Sequence, residues 1–449
     1  MASSDIRLSK RLPRDLTPSP FFEELERAKS EAAPFIDMTV SSPVRVGLPV
    51  ELDVAVDSAR QMFGHWSPDA SGWRESREAV ARYYKERGGN FTPNQILVTA
   101  STSEAYSVLF KAFCNPGDVV LTPMPGYPLL DTLAQLEHLE CAPYFLKLVR
   151  DSRRENVQEM SSFEESFRSR SISALQKDFR FVLDTDSLLT APEKARILLL
   201  VSPHNPTGHI VSLQEWNEVV RFCEENGLVL VVDEVFGDYG FSHEVKRSWQ
   251  YLRHEVRGPR SDEDCISGDD SDYFDCGGND LVFAPVDGPK CPIFWLNGLS
   301  KAVGAPQLKF GWMAFYAPRD QFEKIRAALE FVEDAYLSAS SCAQALATPL
   351  LAQSADYESK VVARLKRNWN VLQAAFPSKY CPWVLGGWYT VLHLGDDDEE
   401  LTLRLLREQH VLVQPGFFFD FEEDGWIVIS LLQEESQFAE AIRRISQIK

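Results

Sequence analysis

Three short segments carry residue types that could share one piece of chemistry. Lys301 sits in a loop rich in Gly, Ser and Ala within residues 295–312 (WLNGLSKAVGAPQLKFGW). Asn205 lies in an HNPTG turn at 204–208, directly after the apolar run 196–203. Asp233 lies in VVDEV at 231–235, at the end of another apolar run. A lysine amine can condense with a carbonyl, a carboxylate can hold a protonated nitrogen, and an amide can donate a hydrogen bond. Taken singly, each has an ordinary explanation: a solvated lysine, a helix-capping aspartate, a turn asparagine. Placed at three successive strand ends, the lysine, the acid and the amide point to one cofactor site.

The elements that must position these residues follow from the apolar pattern. Runs 96–100 (ILVTA), 118–124 (DVVLTPM), 196–203 (RILLLVSP), 228–235 (LVLVVDEV) and 291–297 (CPIFWLN) read as strands, several of them apolar on both faces. Helical segments alternate with them, including one from Leu213 to Asn226 with Gly227 as its C-cap. That alternation argues for a mostly parallel sheet with helices on both faces, and such sheets bind ligands beyond the carboxyl ends of their strands. Ser101, Thr102 and Ser103 open the helix after the first strand, where hydroxyls cap and free amides can take an anion. Tyr127 ends the PGY turn after the next strand. From about residue 321 onward, long helices and then an α+β pattern suit a smaller C-terminal domain.

Composition bounds the function. With 449 residues, the chain is expected to form two domains. Its 44% hydrophobic and 25% charged residues suit a globular protein, and its net charge of −20 argues against nucleic acid or an anionic membrane as partner. The eight cysteines are scattered without a CxxC pair, as in a reduced, cytoplasmic protein. No apolar run reaches the roughly 18 residues of a membrane span. The polar segments near 150–176 and 256–290 read as surface excursions, and the acidic 256–290 stretch lacks the ligand spacing of an EF-hand, so no metal site is expected.

Taken together, SPHNPTG (202–208), VVDEV (231–235), GLSKAVGAPQLKFGW (298–312), PGYP (125–128) and VLVQPGFFF (411–419) resemble the class I and II aminotransferase group. These are pyridoxal-phosphate enzymes of fold type I. The resemblance implies a seven-stranded, mostly parallel sheet flanked by helices, plus a smaller α+β domain. The expected division is an arm and substrate loop at 1–50, a large cofactor-binding domain at 51–325 and a small domain at 326–449. It also implies pyridoxal 5′-phosphate as cofactor, a Schiff base on Lys301, and Asp233 against the ring nitrogen. Asn205 would reach the ring hydroxyl oxygen, Tyr127 would stack on the ring, and Ser101, Thr102, Ser103, Ser300 and Lys309 would hold the phosphate. A homodimer with shared sites is the family's habit.

Five positions depart from the family pattern. Phe236 replaces a tyrosine, Trp66 replaces a partner-reaching tyrosine, Gly298 replaces a phosphate serine, and Lys309 replaces an arginine, giving a point charge in place of a fork. Val428 stands where an arginine usually clamps the substrate carboxylate, and Arg45 in the loop after Ile36 is the candidate replacement. The leading expectation is an aminotransferase working between an amino donor and a 2-oxo acid. A lyase, decarboxylase or cyclising enzyme of the same fold is the first alternative, and a non-catalytic cofactor-binding protein the second.

Overall fold

In the computed structural model the described residues are 8–13, 16–64, 67–150, 179–242, 245–253, 273–275, 281–284, 288–395 and 397–448. Trp66, the 150–176 excursion beyond Arg150 and most of 256–290 therefore lie outside the described residues.

One sheet positions everything that matters for the site. Its strands, in chain order, are β1 (Ile96–Thr99), β2 (Val119–Met124), β3 (Glu140–Arg150), β4 (Phe179–Leu183), β5 (Ala195–Val201), β6 (Val229–Asp233), β7 (Ile293–Gly298) and β8 (Gly311–Tyr316). Their spatial order is β1-β8-β7-β6-β5-β2-β3-β4. The run β7-β6-β5-β2-β3 is parallel throughout. β8 runs antiparallel to both β7 and β1, so β1 again points the same way as the parallel set. Every residue of β7 and β8 is buried, as a strand covered on both faces requires.

The sheet has eight strands, not the expected seven. The extra one is β4, which pairs antiparallel with the outer half of β3 from Leu146↔Leu183 to Arg150↔Phe179. Its burial alternates, as befits an edge strand with one wet face. The short sequence FRFVL begins directly after a polar segment and carries too little apolar signal to stand out. β3 itself contains Pro143 and several exposed residues, which hid it in the same way.

Helices Arg74–Lys85, Thr102–Phe113, Leu213–Asn226 and Phe322–Asp334 flank the sheet. Gly227 caps Leu213–Asn226 in the left-handed conformation (φ 64°), as expected. Beyond the long helix Ser354–Ala375, a three-stranded antiparallel sheet forms from Tyr389–His393, Trp426–Ser430 and Gln414–Pro415. The N-terminal arm joins this part: Ile36–Asp37 pairs with Val411–Leu412, and helix Pro20–Ala32 buries Phe21, Leu25 and Ala28 against Leu406 and Leu412. The six described cysteines are free. Among the described residues no helix is long and apolar enough to cross a membrane.

Candidate active site

The carboxyl ends of β1, β2, β5, β6 and β7 bring most of the expected residues together. β7 ends at Gly298 and runs straight into the single turn Leu299–Ala302, which carries Ser300 and Lys301. The Lys301 amine donates to the Ser41 carbonyl at 3.4 Å and lies 4.6 Å from the centre of the Trp388 ring and 5.5 Å from that of Phe236. Aromatic faces attract the cation only in part, and burial lowers its pKa to about 8, against the opposing pull of Asp233. The lysine backbone is also held, because Tyr239 donates its hydroxyl to the Lys301 carbonyl.

Asp233 closes β6, directly beside the end of the adjacent β5, and its carbonyl accepts from the Ser202 amide at 3.0 Å. Its carboxylate accepts from the Val235 amide at 3.0 Å and from the Tyr106 hydroxyl at 2.7 Å. Burial raises its pKa, while those two donors and Lys301 pull it back down. Asn205 is buried in the turn after β5, and its side-chain oxygen has no partner among the described residues. A buried amide atom without a partner is costly unless a bound group meets it. The adjacent His204 ring bonds Thr207 Oγ1 at 2.9 Å, and burial lowers its pKa to about 3, which keeps it neutral.

Helix Thr102–Phe113 starts beside the β7–β8 hairpin. Ser101 caps it by accepting from the Glu104 amide at 3.2 Å. The amides of Thr102 and Ser103 fall in its first turn, where no intrahelical acceptor exists. Gly311 faces this helix start so closely that a Cβ there would lie 3.0 Å from the Thr102 nitrogen. Gly298 pairs with Gly311 across the hairpin, and its own Cβ would lie 2.8 Å from the Phe310 carbonyl oxygen. A serine cannot replace Gly298 without moving that backbone, which accounts for one departure from the family pattern. Tyr127 is 44% exposed, an open ring at the edge of the site. It also borders a cavity of about 330 Å³ walled by Leu130, Asp131, Cys141 and Asp420, among others, but Lys301, Asp233 and Asn205 take no part in that lining.

Other expected residues sit further out. Lys309 is exposed, in the left-handed region at φ 53°, just after the turn Pro306–Leu308. Arg45, in the turn Pro43–Val46, is 69% exposed along its side chain and lies 3.8 Å from the Asp37 carboxylate. Val428 is fully buried, opposite Val391 and Gln414 in the small sheet. Phe236 packs on Trp388 (5.4 Å) and on Tyr389 (5.9 Å, edge-on).

Sequence reasoning missed Tyr106, Ser41, Trp388, Tyr389 and Tyr239. Tyr106 carried a usable signal: it lies four residues after Thr102, on the same face of the same helix. Trp388 and Tyr389 come from a segment far away in the chain, while Ser41 and Tyr239 lie close to Arg45 and Asp233 but no local pattern marks them.

The residues present suit a flat, anionic, carbonyl-bearing cofactor. A partly deprotonated amine, a fixed acid, a buried side-chain amide, an aromatic face and a helix start meet at one end of one sheet. The sequence also matches the family described as "Aminotransferase class I and II" over residues 59–445. It is 22% identical to the glutamate-pyruvate aminotransferase AlaA of Haemophilus influenzae over 442 residues, covering 95% of this chain and 94% of that one. It is 23% identical to human tyrosine aminotransferase over 431 residues, covering 92% and 80% respectively. The fold superposes on an alanine aminotransferase from Pyrococcus furiosus with a TM-score of 0.74, at 19% identity, over 98% of this chain and 99% of that one. With the family matched across most of its length, the chain belongs to the class I and II aminotransferases, enzymes that depend on pyridoxal 5′-phosphate.

Proposed function

We propose that the protein transfers an amino group between an amino donor and a 2-oxo acid, with Lys301 as the covalent anchor of the cofactor. The observation that carries this reading is the buried Lys301, in the turn directly after β7, within the field of the Asp233 carboxylate at the end of the adjacent β6. Bound pyridoxal phosphate supplies an electron sink for the carbon that bears the amino group. The chain's residues supply the rest. Lys301, freed when the donor amine displaces it, would take the proton from that donor carbon and deliver it to the cofactor carbon that had carried the lysine. A base whose pKa lies near neutrality is suited to both steps.

Asp233 would hold the ring nitrogen protonated, and Asn205 would donate to the ring hydroxyl oxygen. Tyr127 would cover the ring face. Ser101, the Thr102 and Ser103 amides, Ser300 and Lys309 would meet the phosphate, with the helix start as the anion site. Arg45 is our candidate for the donor carboxylate. Its turn follows Ser41, whose carbonyl already touches Lys301, and its 3.8 Å contact with Asp37 is loose enough to exchange. Trp66 would face the phosphate from a second copy of the chain, in a cytoplasmic homodimer with shared sites. The organisation would be an arm at 1–50, a large domain at 51–325 and a small domain at 326–449.

The buried Val428 favours a second reading, a lyase or decarboxylase, because no cation stands at that position to fix the donor carboxylate. One experiment separates the two. The enzyme is mixed with candidate amino donors alone, and the visible absorbance of the bound cofactor is followed. An aminotransferase loses the band in one turnover and regains it on adding a 2-oxo acid. A lyase keeps the band while product accumulates. Arg45→Ala should raise KM for a carboxylated donor at least about tenfold with cofactor affinity unchanged, the loss of one charge-assisted contact. Unchanged kinetics would remove Arg45 from the site.

A further inference from the structure

Asp233 is held from two sides, and only one of them is local. The Val235 amide, two residues on, donates to Oδ1. The second donor is the Tyr106 hydroxyl, 127 positions away in sequence, which reaches Oδ2 at 2.7 Å. Tyr106 is 3% exposed, so its hydroxyl has no access to bulk water and needs a protein acceptor. With each oxygen engaged by a donor, the carboxyl plane is fixed before any ligand arrives.

We propose that Tyr106 is a positioning residue: its hydroxyl keeps the Asp233 carboxylate ionised and oriented for a protonated ring nitrogen of the cofactor. The inference rests on the cofactor reading above. The other charged or titratable groups facing Asp233 are Lys301 and Tyr127, and beyond Tyr106 lies Tyr144. Burial and the neighbouring carboxylate hold the Tyr106 phenol far above its ordinary pKa, so it is the donor in this pair at every working pH. The hydroxyl draws charge from Asp233 and lowers its basicity. Without it, Asp233 takes a larger share of the ring proton, and the ring loses positive charge. The protonated link between Lys301 and the cofactor then becomes easier to keep, and the pH at which it titrates rises.

The test is a pH titration of the visible absorbance of holoenzyme, with no substrate present. Tyr106→Phe keeps the ring and its packing against Phe110 and removes only the donor. Its titration midpoint should lie above the wild-type midpoint by about half a unit or more, since a pKa responds to the loss of one hydrogen bond on this scale. Tyr144→Phe is the matched control. It deletes an equally buried hydroxyl, which donates to the Leu199 carbonyl at 2.8 Å and leaves Asp233 alone, and its midpoint should equal that of the wild type. An unmoved midpoint in Tyr106→Phe overturns the proposal, as does an equal shift in Tyr144→Phe. A wild type with no visible band overturns the cofactor reading itself, and so is distinct from a band that ignores residue 106.

Discussion

At the scale of single residues, the account turns on how Lys301 is kept reactive. An exposed lysine titrates at 10.5, whereas this one titrates at about 8. At pH 7 that leaves roughly one molecule in ten with a free amine, against fewer than one in a thousand for an unperturbed side chain. Uptake of pyridoxal phosphate by the apoenzyme should therefore rise about tenfold per unit up to pH 8 and level off above it. Stopped-flow absorbance measures this, and a rate still climbing at pH 10 would contradict it. The same shift has a stability consequence. A lysine whose folded pKa lies below its unfolded one binds fewer protons when folded, so it costs stability below about pH 8, and the cost fades as pH rises toward 10.5. Apo Lys301→Met should melt above the wild-type apoprotein at pH 7, and the gap should close between those values. A gap that is constant with pH would mean the effect is packing alone. Lys301, Asp233 and Asn205 were legible in the sequence because each sits next to an apolar strand that announces its end. Tyr106 was legible only through its spacing from Thr102 on one helix, and Trp388 was not legible at all, because the docking of the C-terminal part brings it to the site.

At the scale of elements, the β7–β8 hairpin decides how the phosphate region is built. Gly298 and Gly311 stand opposite each other, Gly298 against the Phe310 and Gly311 backbone and Gly311 against the start of helix Thr102–Phe113, with no room for a side chain at either. Sequence reading recognised Gly298 as unusual, but not that the backbone contact forbids anything larger. Gly298→Ser should cost about 1–3 kcal/mol by overpacking and loosen the cofactor as the helix start moves. Gly227→Ala is the reference: its Cβ meets nothing within 4 Å, and only the left-handed backbone (φ 64°) resists it, at about 1 kcal/mol. Chemical denaturation compares the two. Equal cofactor affinity in Gly298→Ser and wild type would show that the hairpin does not shape the site. The parallel strands and most helices were readable from their periodicity. β3 and β4 were not, since an edge ribbon with one wet face and a proline lacks the continuous apolar run that marked the central strands.

At the scale of the whole molecule, the end of helix Arg74–Lys85, the 234–248 segment and the helix Ser354–Ala375 are tied by a buried ionic cluster. Asp238 accepts from Tyr83 at 2.8 Å, from Arg87 at 3.2 Å and from Arg247 at 2.7 Å, and Arg87 also reaches Glu358 at 3.1 Å. The two arginines hold the Asp238 carboxyl below its ordinary pKa in spite of its burial. Asp238→Ala leaves both buried arginines with only the partly exposed Glu358 as counter-ion, and should cost about 3–5 kcal/mol. Removing the exposed Arg60–Asp57 pair by Arg60→Ala should change stability by less than about 1 kcal/mol. Thermal melts of the two variants check the contrast, and similar losses would show that the cluster is dispensable. The cluster was invisible in the sequence because its members come from three separate segments.

The central claim is that the chain works through a cofactor bound covalently to Lys301. Borohydride reduction of the purified holoenzyme, followed by proteolysis and mass spectrometry, tests it most directly. The mass of reduced pyridoxal phosphate should appear on the peptide that contains Lys301 and on no other. The same label on a different lysine, or on none, would contradict it.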